Sequence, residues 1–96
     1  MEFNSFKAKM NEAGDALVNY ISPVSGKQKY HVCTLDLKNC KYIKDKLDQR
    51  KFSEPQQGWV RAFCWDLDDF KNIDVASVTS VVPLNKMVSN AVDSYV

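Results

Sequence analysis

The chain has 96 residues, of which 45% are hydrophobic and 26% are charged, and its formal net charge is +1 at pH 7. This length and composition are typical of one globular domain and exclude a disordered or low-complexity chain. The near-zero net charge also excludes a global field that recruits nucleic acid, a membrane surface or an acidic substrate, so electrostatic recognition must be local.

The first residues predict a short helix over 3–12. Phe3, Phe6 and Met10 recur at helical spacing, and Gly14 stands where a helix often ends. The segment lacks the basic start and apolar run of a signal peptide, and no apolar stretch approaches the ~20 residues that span a bilayer. We therefore expect a cytoplasmic protein with no membrane contact and with free thiols.

Two strands and a basic helix are predicted next. Alternating side chains predict a strand from Asp15 to Ile21, and the Pro- and Gly-containing segment 22–26 predicts a hairpin loop into a second strand, Gln28 to Leu35. Residues 38–51 return to helical spacing and carry six basic side chains against two aspartates, a local charge of +4. Residues 52–76 have the opposite balance, −3, from five acidic and two basic side chains.

The stretch GWVRAFCWD, residues 58–66, predicts a third strand with unequal faces. We place the smaller Val60, Ala62 and Cys64 inside and the bulkier face outside, beneath the terminal helices or open to a ligand. The outward residues are Trp59, Arg61, Phe63 and Trp65. Short strands near 71–75 and 78–82 and an apolar helical stripe over 84–95 complete the pattern.

These elements predict a single α+β domain over residues 1–96. Its centre is a small five-stranded SH3/Sm-like barrel, roughly residues 15–37 and 58–82, because short strands with short connections favour closure. Residues 38–57 form a helical, basic insertion, and helices at 3–12 and 84–95 flank the barrel.

Three segments together resemble one family. They are VNYISPVSGKQKYHVCTL (18–35), FCWDL (63–67) and FKNIDVASV (70–78), and they resemble the small WYL-like Sm/SH3-barrel proteins of tailed bacteriophages over roughly residues 16–82. The resemblance implies a phage-encoded protein acting in the bacterial host cell. It also implies a ligand site of basic and aromatic strand residues, since larger WYL domains sense nucleic acid or nucleotides. Lys71 stands where the family tends to have arginine and lacks that residue's planar fork.

The leading functional hypothesis is therefore a non-enzymatic module that recognises nucleic acid or a nucleotide-like ligand. Aromatic rings can stack on bases and lysines can meet phosphates, although the same aromatic residues could simply be covered by the terminal helices. The candidate residues are Arg61, Trp65, Lys71, Tyr30, Lys29, Lys41 and Lys44.

Metal binding and catalysis are not expected. One histidine and three cysteines are the right number for zinc, but there is no Cys-x-x-Cys pair, and His31 and Cys33 share one face of a single strand. The aspartates at 66, 68 and 69 lie in a predicted turn, where Asp commonly bonds the local backbone. We predict no cofactor.

The alternative hypothesis is a phage inhibitor or sequestering protein that docks on a host protein through its segregated charges. The apolar terminal helices are equally compatible with self-association.

Overall fold

The structure, a computed structural model, describes residues 1–84 and contains two α-helices and five strands. In chain order these are α1 (Phe3–Ala13), β1 (Asp15–Ile21), β2 (Gln28–Thr34), α2 (Lys41–Asp48), β3 (Trp59–Cys64), β4 (Asp69–Asp74) and β5 (Val78–Pro83), with a 3₁₀ turn (Val75–Ser77) before β5. The predicted elements up to β5 are confirmed. The helix predicted over 84–95 lies almost entirely outside the described residues.

The strands form one antiparallel sheet in the order β4-β3-β2-β1-β5. The sheet is not closed into a barrel, and that part of the prediction is wrong. β4 and β5 are neighbours in the chain but lie at opposite edges, because the 3₁₀ turn between them replaces a hairpin and the hydrogen-bond ladder is not continued.

The β2–β3 junction is the shortest in the sheet. β1 and β2 pair along their whole length, from Asp15↔Thr34 to Ile21↔Gln28. β2 and β3 pair through Cys33↔Cys64 and Thr34↔Phe63, after which the strands part. The sheet is therefore strongly staggered at its centre.

Helix α1 covers one face of the sheet, which we call the α1 face. The Glu2 carboxylate accepts the backbone N–H groups of Asn4 and Ser5 and caps the helix, and Gly14 ends it at a φ of 75°. Phe6 and Met10 are fully buried in one cluster with hydrophobic residues of the strands. The strand residues in this cluster are Ala16, Val18, Tyr20, Cys33, Val60, Ala62, Cys64, Ile73 and Val78. The predicted inward face of β3 is thus confirmed.

The opposite face, which we call the α2 face, holds a second buried layer. Phe63 and Ile43 are 0% exposed, and the Phe63 ring has edge-on contacts with Tyr42, Trp65 and Phe70. The prediction that Phe63 lies outside a barrel is therefore wrong. Because the sheet is open, both faces need cover, and the inserted helix α2 covers this part of the second face.

Ion pairs attach α2 to the turn between β3 and β4. Lys46 and Arg50 pair with Asp68 and Asp69, at 3.4 and 2.7 Å, and the Tyr42 hydroxyl donates to Asp68 at 2.6 Å. The basic and acidic segments of the sequence thus partly compensate each other within the fold. No helix in the described part of the chain is long and apolar enough to cross a membrane.

Candidate functional site

The structure divides the predicted ligand residues between the two faces of the sheet. In an antiparallel pair, residues in direct register share a face. Lys29 is in register with Tyr20, and Lys71 with Ala62, so both lysines belong to the α1 face. Arg61, Trp65 and Tyr30 alternate with these residues and belong to the α2 face.

Lys29 and Lys71 line one cavity, between the tip of the β1–β2 hairpin and β4. The strands that carry them are separated by β3 in the sheet order, yet residues of the hairpin tip and of β4 line the same cavity. None of the ion pairs within residues 1–84 involves either lysine. The lining residues are Tyr20, Ser22, Pro23, Val24, Lys29, Trp59, Lys71, Asn72, Ile73 and Asp74.

Arg61 contacts residues of the chain itself and is not free to bind a ligand. Its guanidinium lies 4.4 Å from the centre of the Phe52 ring, and one terminal nitrogen donates to the carbonyl of Ser53. Its buried Nε has no hydrogen-bond partner within the described residues. Arg61 therefore fastens the segment that follows α2 onto the sheet.

The remaining predicted residues are more exposed. Trp65 is 41% exposed and its indole N–H donates to Asp15 at 2.8 Å, while Tyr30 is 66% exposed. On α2, Lys41 pairs with Asp45 at 2.7 Å, and Lys44 is exposed. The structure does not join these four side chains to the cavity that holds Lys29 and Lys71.

A chain of polar side chains that the sequence did not suggest crosses the α1 face. His31 Nδ1 lies 2.8 Å from an oxygen of Asp66, and its Nε2 lies 3.0 Å from the Tyr20 hydroxyl. The second Asp66 oxygen accepts the backbone N–H of Val32 at 3.1 Å. Asp66 is thus a turn residue, as predicted, but its carboxylate also orients the imidazole.

Cys33 and Cys64 lie beside this chain and are both fully buried. Cys33 and Cys64 are register partners, and the neighbouring Cys64 thiol together with burial raises the pKa of Cys33. The Cys33 thiol in turn lowers the pKa of Cys64, so Cys64 is the thiol of the pair that ionises first. Burial, with the nearby Cys64 and Asp66, raises the pKa of Tyr20.

The signal for this cluster is present in the sequence as two short patterns, His31-x-Cys33 and Cys64-x-Asp66. Alternation puts the two members of each pattern on one face of a strand. The register that sets Cys33 opposite Cys64 brings all four together. Cys40 lies elsewhere, at the start of α2.

Comparisons of the chain with protein-family models, with curated proteins and with solved structures found no match. The geometry of the described residues is therefore what indicates function.

Proposed function

We propose that the chain is a non-enzymatic binding protein whose cavity between the β1–β2 hairpin and β4 takes a nucleotide-like ligand. The observation that carries the proposal is that Lys29 and Lys71, from two strands that are not neighbours, line one cavity together with Trp59. Two ammonium groups that form no ion pair within residues 1–84 suit a phosphate, and an indole suits a base.

Two further side chains of the cavity fit the rest of such a ligand. Asp74 lines the cavity, and one of its oxygens accepts the backbone N–H of Ala76 at 3.2 Å. Its other oxygen can accept a hydrogen bond from a sugar hydroxyl. The Asn72 amide supplies both a donor and an acceptor.

The resemblance to WYL-like phage proteins supports the same ligand class, because Lys71 lies at the strand position where that family tends to carry its basic residue. A compact nucleotide is favoured over a long nucleic acid. A polymer needs a continuous basic groove, whereas Lys41 and Lys44 lie on α2 at the other face of the sheet from Lys29 and Lys71.

A charge-matched pair of double variants tests the proposal. In a Trp65→Phe background, Trp59 is the remaining tryptophan of the chain and reports binding by its fluorescence. Ribonucleoside mono- and diphosphates are titrated at low salt, with inorganic phosphate as the probe of the phosphate subsite. We expect K29A/K71A to weaken nucleotide binding by about tenfold or more, or 1.4 kcal/mol, while K41A/K44A leaves it unchanged.

The outcomes separate clearly. Equal losses in the two double variants would mean that general charge attracts the ligand, and no quenching by any nucleotide at low salt would refute the cavity as a nucleotide site. Tighter binding of an oligonucleotide than of a mononucleotide, weakened by K41A/K44A, would favour the nucleic-acid form of the hypothesis.

A second candidate function is docking on a bacterial host protein through the part of the α2 face that α2 leaves open. Tyr30 and Trp65 are exposed there, and tyrosine and tryptophan are the residues most enriched at the energetic centres of interfaces. Capture from host extract distinguishes the two functions. A stoichiometric protein partner that Y30A/W65A loses and K29A/K71A retains would support docking, and the reverse pattern would contradict it.

A further inference from the structure

The cluster on the α1 face contains an unusual set of donor atoms. One ligand atom each from His31, Cys64 and Asp66 lie within 4.8 Å of one another. Cys33 is the register partner of Cys64 and places a second sulfur next to this group on the same face of the sheet. Imidazole nitrogen, carboxylate oxygen and two thiols are a donor set that zinc binds in proteins.

The strand register explains why the two sulfurs are close. The backbone N–H of Trp65 donates to the carbonyl of Val32 at 2.7 Å, so Val32 and Trp65 occupy a hydrogen-bonding position of the ladder, although the Val32 N–H donates to Asp66. Pairs alternate along an antiparallel ladder, so the next pair, Cys33 and Cys64, is of the closer, non-hydrogen-bonded type. Their side chains therefore point to the same face at the shortest spacing that the sheet allows.

The distances among the His31, Cys64 and Asp66 donor atoms need only small changes to hold a metal ion. Bond lengths of about 2.0 Å to nitrogen and oxygen and 2.3 Å to sulfur place tetrahedral ligands about 3.3–3.8 Å apart. The His31 nitrogen and the Asp66 oxygen, which are 2.8 Å apart, would move slightly away from each other. The Cys64 sulfur, which lies within 4.8 Å of both atoms, would move towards them. Side-chain rotation can supply shifts of this size without moving the strands.

The surroundings also match a metal site. A metal on the Asp66 side of the imidazole takes Nδ1, which leaves Nε2–H to donate to the Tyr20 hydroxyl. The Asp66 oxygen that does not face His31 is already held by the N–H of Val32. Ligands at metal sites are normally oriented by such outer hydrogen bonds.

We propose that His31, Cys64 and Asp66 form a binding site for a divalent metal of the zinc class, with Cys33, the register partner of Cys64, as the neighbouring fourth donor. The sulfur and imidazole donors exclude magnesium and calcium, which prefer oxygen ligands. The cysteines are fully buried, but the Asp66 side chain is 36% exposed and gives an ion access. Each thiol that coordinates the metal releases its proton to solvent.

The proposed metal site lies at the junction of β2 and β3, where a bound ion would stabilise the sheet. β2 and β3 are joined through the pairs at Cys33 and Thr34, the shortest junction in the sheet. A metal held by two residues of β2, one of β3 and one of the following turn would clamp this junction. Binding to the folded chain should therefore raise the melting temperature.

Cobalt titration of the reduced, full-length chain tests the proposal. Tetrahedral Co²⁺ bound by thiolate gives visible d–d absorption and a sulfur-to-metal charge-transfer band, and zinc should displace it at one equivalent. We expect H31Q, D66N and C64S to lose the charge-transfer band or to weaken binding. C40S, which removes the cysteine outside the cluster, should retain both the band and the affinity.

Two variants make the test independent of folding and of the nucleotide cavity. Y20F removes only the hydroxyl that holds His31, and we expect it to weaken cobalt binding by about 10- to 100-fold. K29A/K71A should leave metal binding unchanged. The proposal is overturned if the reduced wild-type chain shows no cobalt bands, if C40S abolishes them, or if H31Q and D66N both keep wild-type affinity. The proposal is also overturned if the purified chain contains a Cys33–Cys64 disulfide and still binds no cobalt after that disulfide is reduced.

Discussion

Among the described residues, Phe63 is the largest fully buried side chain on the α2 face, and its replacement by alanine measures how strongly that layer contributes to folding. The side chain is 0% exposed, and its ring centre lies 5.1–6.2 Å from those of Trp65, Phe70 and Tyr42. Replacing a buried phenylalanine by alanine typically lowers the free energy of unfolding by about 3–5 kcal/mol. We expect Phe63→Ala to cost about 4 kcal/mol, since three edge-on aromatic contacts are lost together.

That cost is large for a chain of 96 residues. Domains of this size are stable by about 5–15 kcal/mol, and each kcal/mol shifts the melting temperature by about 4–8 °C. The melting temperature of Phe63→Ala should therefore fall by at least about 16 °C. Phe63→Leu, which keeps most of the apolar volume, should lose about 1–2 kcal/mol and stay folded.

Urea unfolding, followed in parallel by circular dichroism and tryptophan fluorescence, supplies the measurement. Phe52→Ala is the matched control, because Phe52 packs on the same layer but is 37% exposed. We expect it to cost about 1 kcal/mol. If Phe63→Ala cost no more than Phe52→Ala, the layer beneath α2 would not belong to the cooperative core.

Two further predictions concern titration and thiol chemistry. The hydrogen bond from the Tyr42 hydroxyl holds the pKa of Asp68 below its ordinary value of 3.8. The ionised Asp68 carboxylate therefore stabilises the fold fully above pH 3.8, and this stabilisation is lost as the pH falls through the lowered pKa. The melting temperature should therefore drop below about pH 4, and less steeply in Asp68→Asn; equal slopes would contradict this. In the metal-free, reduced chain, a thiol reagent should modify the partly exposed Cys40 quickly and the fully buried Cys33 and Cys64 only on unfolding. A fast reaction that persists in Cys40→Ser would show that the buried pair opens.

The order and type of the elements could be predicted because they depend on local patterns. Gly14 ends α1 at positive φ, the Pro- and Gly-containing segment 22–26 joins β1 to β2, and alternation in β3 identified the α1 face. Barrel closure could not be predicted in this way. It depends on whether β4 and β5 pair, which is a long-range property that strand lengths and loop lengths leave open.

The candidate site was only partly predictable for the same reason. Lys29 and Lys71 were identified by residue type, but their common cavity depends on the three-dimensional arrangement of the β1–β2 hairpin and β4. Arg61 was expected to meet a ligand because it lies among aromatic residues, and it instead contacts Phe52, a residue of the insertion. His31 and Asp66 were each interpreted within their own segment, and only the strand register brings them together.

The short β2–β3 junction connects the two proposed sites. Lys29 is carried by β2 and Lys71 by β4, and β4 pairs with β3 along its whole length. The separation of the two lysines therefore depends on how β2 is held against β3, at Cys33 and Cys64. A group that fixes these cysteines also fixes the width of the cavity, so it reduces the conformational freedom that a ligand must remove on binding. Loosening this junction should weaken the binding of a nucleotide to the two lysines. The paired residues of the junction, at 33, 34, 63 and 64, do not themselves line the cavity.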